Sequence, residues 1–214
     1  MKYQARLSGL QRGALNYWAD VGPAIVRRSI VDDFGRPSPR QVSVPAAAPP
    51  AFTLRFATID DVPTILRCIR GLAEYERLGD ACHASEERLR DSLFGASPAA
   101  EITLAFAGDD PAGFALWFRS YSTFLAAPGI YLEDLFVFPE FRGHGLGRQL
   151  LAALARIAVD RGYGRLEWAV LDWNQDAIGF YESLGAVPMG DWTTYRVTGE
   201  ALGALGASSV AAPR

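Results

Sequence analysis

The chain has 214 residues, half of them hydrophobic, and a formal net charge of −3. That is enough for one domain with a substantial core and a modest appendage. The mild acidity and the lack of a basic tract argue against nucleic acid as a partner. No apolar run reaches the length of a membrane span, and Cys68 and Cys82 are too few for a disulfide framework or a clustered metal site.

Of the 21 basic residues, Lys2 is the single lysine. With abundant alanine, glycine and arginine, this bias resembles that of a high-GC bacterial genome. The start, Met1-Lys2-Tyr3-Gln4-Ala5-Arg6, leads into no apolar core of signal-peptide type, so a cytoplasmic location is expected. Leu7, Leu10, Ala14 and Trp18 have helical spacing, which Gly9 and Gly13 weaken. Residues 37–50 are a Pro/Ala-rich linker. Residues 1–50 are therefore expected to be a poorly ordered extension and linker. They read as an unstructured tail or the product of a start codon set too far upstream, with a docking appendage as the alternative. The main domain is expected over 51–206, with a tail over 207–214.

Within that domain Phe52–Phe56 reads as a strand, and Thr58-x-x-Asp61 caps a helix whose apolar face is Val62, Ile65, Leu66, Ile69, Leu72 and Ala73. A short helix is expected after Ser85. Ile102–Ala107 and Phe114–Arg119 flank the turn-forming run 108–113 and suggest a hairpin. Ile130–Phe138 is an apolar strand interrupted by Glu133 and Asp134, and an amphipathic helix comes next over 145–161. Arg165–Leu171 reads as a strand, Asn174–Leu184 as a helix, and Trp192–Val197 as a last strand. Thr198-x-x-Ala201 opens a short C-terminal helix. Antiparallel strands and then strand–helix–strand–helix–strand predict an α/β (mixed α+β) domain, a mixed sheet with helices on both faces.

The most informative stretch lies between strand and helix: Arg142-Gly143-His144-Gly145-Leu146-Gly147-Arg148. It lacks the Gly-Lys-Ser/Thr ending of a Walker loop and the glycine spacing of a dinucleotide fold. Its tight glycines aim successive N–H groups at one anion at the positive end of a helix, and Arg148 in the first turn adds charge. Glycine-rich turns also serve tight packing, but with two arginines the diphosphate cradle is the better reading. His144 reads as an exposed loop residue.

Three segments in order resemble the GCN5-related N-acetyltransferase superfamily. They are Leu135-Phe136-Val137, Arg142-x-x-Gly145-x-Gly147, and Trp173-Asn174-x-x-Ala177-x-x-Phe180-Tyr181-x-x-Leu184-Gly185-Ala186. Leu72-Ala73-x-Tyr75-Glu76 and Tyr131-Leu132-Glu133-Asp134-x-Phe136-Val137 are similar to its diamine branch, the spermidine/spermine and thialysine acetyltransferases. The resemblance covers about 52–205. It implies a twisted central sheet with splayed middle strands and acetyl-CoA as cosubstrate, with no metal. It also implies backbone pairing of Leu135, Phe136 and Val137 with the pantetheine arm, further cofactor contacts from residues 142–148, Asn174 and Ala177, and a homodimer. Asn174 can also cap the helix it precedes.

Acyl transfer from a thioester to an amine expels a thiolate and requires the attacking ammonium to lose a proton. Tyr181 is the candidate acid and Glu133 the candidate base, acting directly or through water. Strand alternation puts Glu133 and Asp134 on opposite faces unless a bulge intervenes, which leaves Asp134 a candidate for cation binding. The resemblance adds Tyr75 and Glu76 as substrate contacts, with a solvated acidic face as the alternative; the short connection Val187–Trp192 departs from the diamine branch and leaves Asp191 as a substitute acidic contact. Trp117, Tyr121 and Phe124 could line an aromatic channel or belong to the core. The expected activity is acetylation of a small cationic amine: a polyamine, a diamine or a basic amino-acid analogue. The rivals are an aminoglycoside or protein amine as acceptor, and a non-catalytic acetyl-CoA-binding module.

Overall fold

The computed structural model describes residues 50–208, so the expectations for 1–49 and 209–214, including the helix at Leu7–Trp18, lie outside the described residues. Strands β1 (Phe52–Phe56), β2 (Glu101–Ala107), β3 (Asp110–Ser122) and β4 (Ala127–Val137) form an antiparallel run. β5 (Leu166–Trp168) then adds to β4 in parallel, giving the sheet order β1-β2-β3-β4-β5. The helices are α1 (Val62–Tyr75), α2 (Glu86–Phe94), α3 (Leu146–Asp160), α4 (Gln175–Ser183) and α5 (Gly199–Ala207). This is the mixed α/β architecture expected from the sequence.

Each face of the sheet has its own core. Val62, Ile65, Leu66 and Cys68 of α1 and Leu89 and Leu93 of α2 pack on Ile102, Leu104, Phe114, Phe136 and Phe138. Leu146, Leu150, Leu151, Leu154 and Ala158 of α3 cover Trp117, Ile130 and Leu132 on the other. The α1 stripe is the one its periodicity predicts, and Asp61 secures its approach. Its carboxylate accepts the backbone N–H of Thr58 at 2.7 Å and binds Arg55. That ion pair holds the Asp61 carboxyl down at about 2.

The far end of α1 is closed by two hydrogen bonds, from the N–H of Leu78 to the carbonyl of Ala73 and from that of Arg77 to Glu74. This closure puts Arg77 at φ 61, the left-handed region usually given to glycine. It therefore fixes where Tyr75 and Glu76 sit on the last turn.

Four expectations need correction. The hairpin turn is two residues, Gly108 and Asp109, because Ala107 pairs directly with Asp110. β5 is three residues rather than Arg165–Leu171, since its partner β4 offers no pairing beyond Leu132. Residues 192–198 form no regular secondary structure, so the expected last strand Trp192–Val197 does not form among the described residues. Its Trp192 and Tyr195 are exposed. Trp117 is fully buried, with its indole N–H on Thr103, whereas Tyr121 and Phe124 are exposed, so neither the channel nor the core reading describes all three.

β3 and β4 approach so closely at one point that only glycine fits. A Cβ on Gly113 would lie 2.5 Å from the carbonyl oxygen of Phe136 and 3.2 Å from the Cα of Val137. Because both neighbours are backbone, Gly113→Ala should destabilise the chain by roughly 2–3 kcal/mol. Urea unfolding measures this directly. A loss below about 0.5 kcal/mol, the range of an ordinary surface change, would mean that β4 can yield at that point.

Candidate functional site

The site starts from a fault in the ladder. Leu116 pairs with Asp134, but its neighbour Trp117 pairs with Leu132, so Glu133 is an extra residue, a β-bulge. Its effect is visible in the cores. Leu132 packs on the α3 side and Phe136 on the α1 side, although four residues of simple alternation would leave them on one face. The expectation that Glu133 and Asp134 point to opposite faces is therefore corrected. Asp134 sits opposite Leu116, which belongs to the α1 side, and Glu133 comes after Leu132 and crosses to that same side.

Beyond the bulge β4 separates from β5: the parallel pairing stops at Leu132–Trp168, while β4 continues to Val137. Residues 133–137 thus keep β3 on one edge and have no strand on the other. Phe136 is 4 % exposed and lies edge-on to Phe138, so its side chain is core and only its backbone can face a ligand. Leu135 and Val137 pack against the α3-side core.

After a short 3-10 turn at Pro139–Phe141 the glycine loop opens α3. Gly143 and Gly145 have φ of 77° and 80°, and a Cβ at either would meet nothing within 4 Å. They are glycine for conformation, with open space before them. Gly145 is the N-cap and supplies no side chain, so the first N–H groups of α3 have no side-chain cap. Gly147 also serves packing: its missing Cβ faces the Phe180 ring at 3.5 Å, an α3–α4 contact. Leu146 is buried, while His144 and Arg148 are exposed. Arg142 turns back from the loop. Its Nε donates to the carbonyl of Val137 at 2.9 Å, and its guanidinium lies 4.6 Å from the centre of the Tyr75 ring.

Asn174 caps α4 as predicted, accepting the N–H of Ala177 at 3.3 Å. Its Oδ1 also accepts the Tyr75 hydroxyl at 3.3 Å. This link between residues 99 apart in sequence has no sequence signal. Tyr181 stacks at a tilt on Trp168, with centroids 5.0 Å apart. Trp173 lies 6.2 Å from Tyr75, so Tyr75, Trp173 and Tyr181 line this end of the site. Asp191 is exposed in a turn, and among the described residues no hydrogen bond or ion pair joins it to the others. Among the described residues no group of His, Cys, Asp or Glu is arranged to hold a metal.

The electrostatics are set by this geometry. Burial pushes the Asp134 carboxyl up to about 6, helped by the negative charges of Glu133 and Glu76. Burial also raises Glu76. The Tyr181 hydroxyl is raised first by burial and then by Tyr75 and Glu76, so it keeps its proton throughout the neutral range. Glu76 thus acts on both Asp134 and Tyr181, Glu133 acts on Asp134, and none of the four ion pairs among the described residues includes these three carboxylates. Glu76 is also the C-cap of α1, where the helix end adds partial negative charge. Acidic side chains and the Tyr75–Trp173 ring pair lie at one end, and an uncapped helix N-terminus with open glycines at the other.

Comparison with known proteins gives this arrangement a family context. The profile described as "Acetyltransferase (GNAT) family" matches residues 70–186. A thialysine N-epsilon-acetyltransferase of Bos taurus is 42% identical over 160 residues, covering 70% of this chain and 94% of that protein. An L-ornithine N5-acetyltransferase of Arabidopsis thaliana is 33% identical, covering 78% of this chain and 95% of its own. Among solved structures, an integron cassette protein from the mobile metagenome of V. cholerae superposes with a TM-score of 0.64 at 28% identity. The match covers 73% of this chain and 98% of that one.

The raised Asp134 carboxyl has a signed consequence. An aspartate whose folded value is about 6 against an ordinary 3.8 binds its proton more tightly when folded. Stability therefore falls as pH rises through that window, and the full penalty is present above it. Asp134→Asn should stabilise the chain at pH 8 by on the order of 1–2 kcal/mol and give almost no gain near pH 4. Thermal melts at the two pH values test this. An equal gain at both would show that the charge of Asp134 is not the source.

Proposed function

The chain belongs to the acetyltransferase (GNAT) family, and we propose that it moves the acetyl group of acetyl-CoA to a primary amine of a small cationic acceptor, namely a polyamine, a diamine or a basic amino-acid analogue. The observation that carries this reading is the group of Glu76, Glu133 and Asp134, in no ion pair among the described residues and reaching Tyr181 through Glu76. Glu76 and Asp134 are half-buried while Glu133 is exposed; unpaired half-buried carboxylates are costly, and an alkyl-ammonium ligand would offset that cost. The names of the thialysine and ornithine acetyltransferases point to the same acceptor class.

The residues fit acetyl-CoA at the other end. The uncapped N–H groups of α3, the positive-φ glycines 143 and 145, and Arg148 suit a diphosphate. The unpaired edge of residues 133–137 suits the amide groups of a pantetheine arm. In the proposed reaction Glu133 accepts a proton from the ammonium, directly or through water. The amine nitrogen forms its bond to the thioester carbonyl carbon as the carbon–sulfur bond breaks, Tyr181 gives its proton to the departing thiolate, and the second proton that the nitrogen sheds on becoming an amide restores the Tyr181 hydroxyl through water. Holding both reactants in one cleft supplies much of the acceleration. The catalytic unit is taken as 51–206, acting in the cytoplasm as a homodimer. Two features support the dimer: residues 187, 189, 192, 195, 197, 202 and 205 are exposed apolar side chains, and α5 buries no residue.

Tyr181→Phe and Glu133→Gln should each lower kcat by roughly 10²-fold or more while leaving the acetyl-CoA dissociation constant within about threefold. A panel of amines assayed with acetyl-CoA tests the acceptor class. Turnover of aminoglycosides or protein amines with none of any diamine would overturn it. Sedimentation at micromolar concentration tests the dimer, which a monomer throughout would refute.

A further inference from the structure

The splay that opens the site also removes the ladder that would hold the end of β4 to the α4 segment. Beyond Leu132–Trp168 no strand pairing exists, and among the described residues no direct hydrogen bond joins 133–148 to 169–186. The polar connection that does cross the gap runs through side chains. Arg142 Nε donates to the Val137 carbonyl at 2.9 Å. Its guanidinium lies 4.6 Å from the Tyr75 centroid and 5.7 Å from that of Phe136, within cation–π range of both. The Tyr75 hydroxyl then donates to Asn174 Oδ1, the atom that also caps α4, the helix carrying Tyr181.

We propose that Arg142 is a positioning residue of the amine side rather than a ligand of the diphosphate. It clamps Tyr75 against the end of β4 and, through Tyr75 and Asn174, sets the start of the helix that carries Tyr181. This rests on the acetyl-transfer reading above. The bond to Val137 and the stack on Tyr75 engage the Nε and the face of this guanidinium, whereas Arg148 is exposed in the first turn of α3. That leaves Arg148 as the loop's arginine for an anion. A planar, forked cation suits the clamp because it stacks with its face while its edge donates, which an ammonium cannot do.

The experiment compares Arg142→Gln, Arg142→Lys and Arg148→Gln in the full chain. Calorimetry with coenzyme A gives the dissociation constant, and steady-state kinetics with acetyl-CoA and 1,4-diaminobutane give kcat and the amine KM. Arg142→Gln is expected to lower kcat/KM for the amine by about 10-fold or more, with coenzyme A affinity changed by less than about threefold. Arg142→Lys should not restore it, whereas Arg148→Gln should weaken coenzyme A. The proposal is overturned if Arg142→Gln weakens coenzyme A as much as Arg148→Gln does, or if Arg142→Lys is fully active.

A turnover-free arm separates this from failure of the functional reading. Arg142→Gln and Tyr75→Phe should shift the thermal midpoint non-additively, because they cut one chain of contacts. Additive shifts overturn the clamp whether or not any diamine is acetylated. Coupled shifts without diamine turnover keep it and overturn the acceptor class.

Discussion

One unpaired residue organises the active region. The extra residue at Glu133 changes which face every later side chain of β4 occupies, so Phe136 enters the α1-side core and Asp134 comes to that side, where the charge of Glu76 reaches it. The same irregularity coincides with the point where β4 parts from β5. Bulges sharpen strand twist and end regular pairing, so side-chain parity, carboxylate placement and the open strand edge share one local cause. Gly113 completes the arrangement on the other edge, where backbone meets backbone too closely for any Cβ.

Around that fault the charges are sorted by helix ends. α3 presents its N-terminus with no side-chain cap, and α1 presents its C-terminus with Glu76 on the cap. Helix ends carry partial charges of opposite sign, each worth about 0.3–1 kcal/mol to a suitable ion. An anionic group and a cationic group therefore have separate, preorganised destinations. Tyr75 stands between them, with Arg142 on its ring and Asn174 on its hydroxyl.

Much of the fold is legible in the sequence because it is written in periodicity. The α1 stripe, the α3 stripe, the Asp61 capping box and the Asn174 cap all appear where the residues put them. The glycine loop is legible as the start of α3, where Gly143 and Gly145 take the positive φ that favours glycine. Three things are not. The parity of Glu133 and Asp134 depends on a register that only the pairing with Leu116 and Trp117 reveals. The orientation of Arg142 is decided by two rings brought from distant segments. Trp192–Val197 has strand composition, but a strand needs an edge to pair with, and composition says nothing about whether one is available.

The closure of α1 at Arg77 has a consequence for how such a chain can vary in length. A helix turns about 100° per residue, and its stop is set by hydrogen bonds from Arg77 and Leu78 rather than by the site. Inserting or deleting one residue between Val62 and the stop would rotate Tyr75 away from Arg142 and Asn174 without altering a single residue of the site itself. The stretch 62–77 is therefore intolerant of length change, whereas the connection between Leu78 and α2 can grow or shrink without rotating Tyr75.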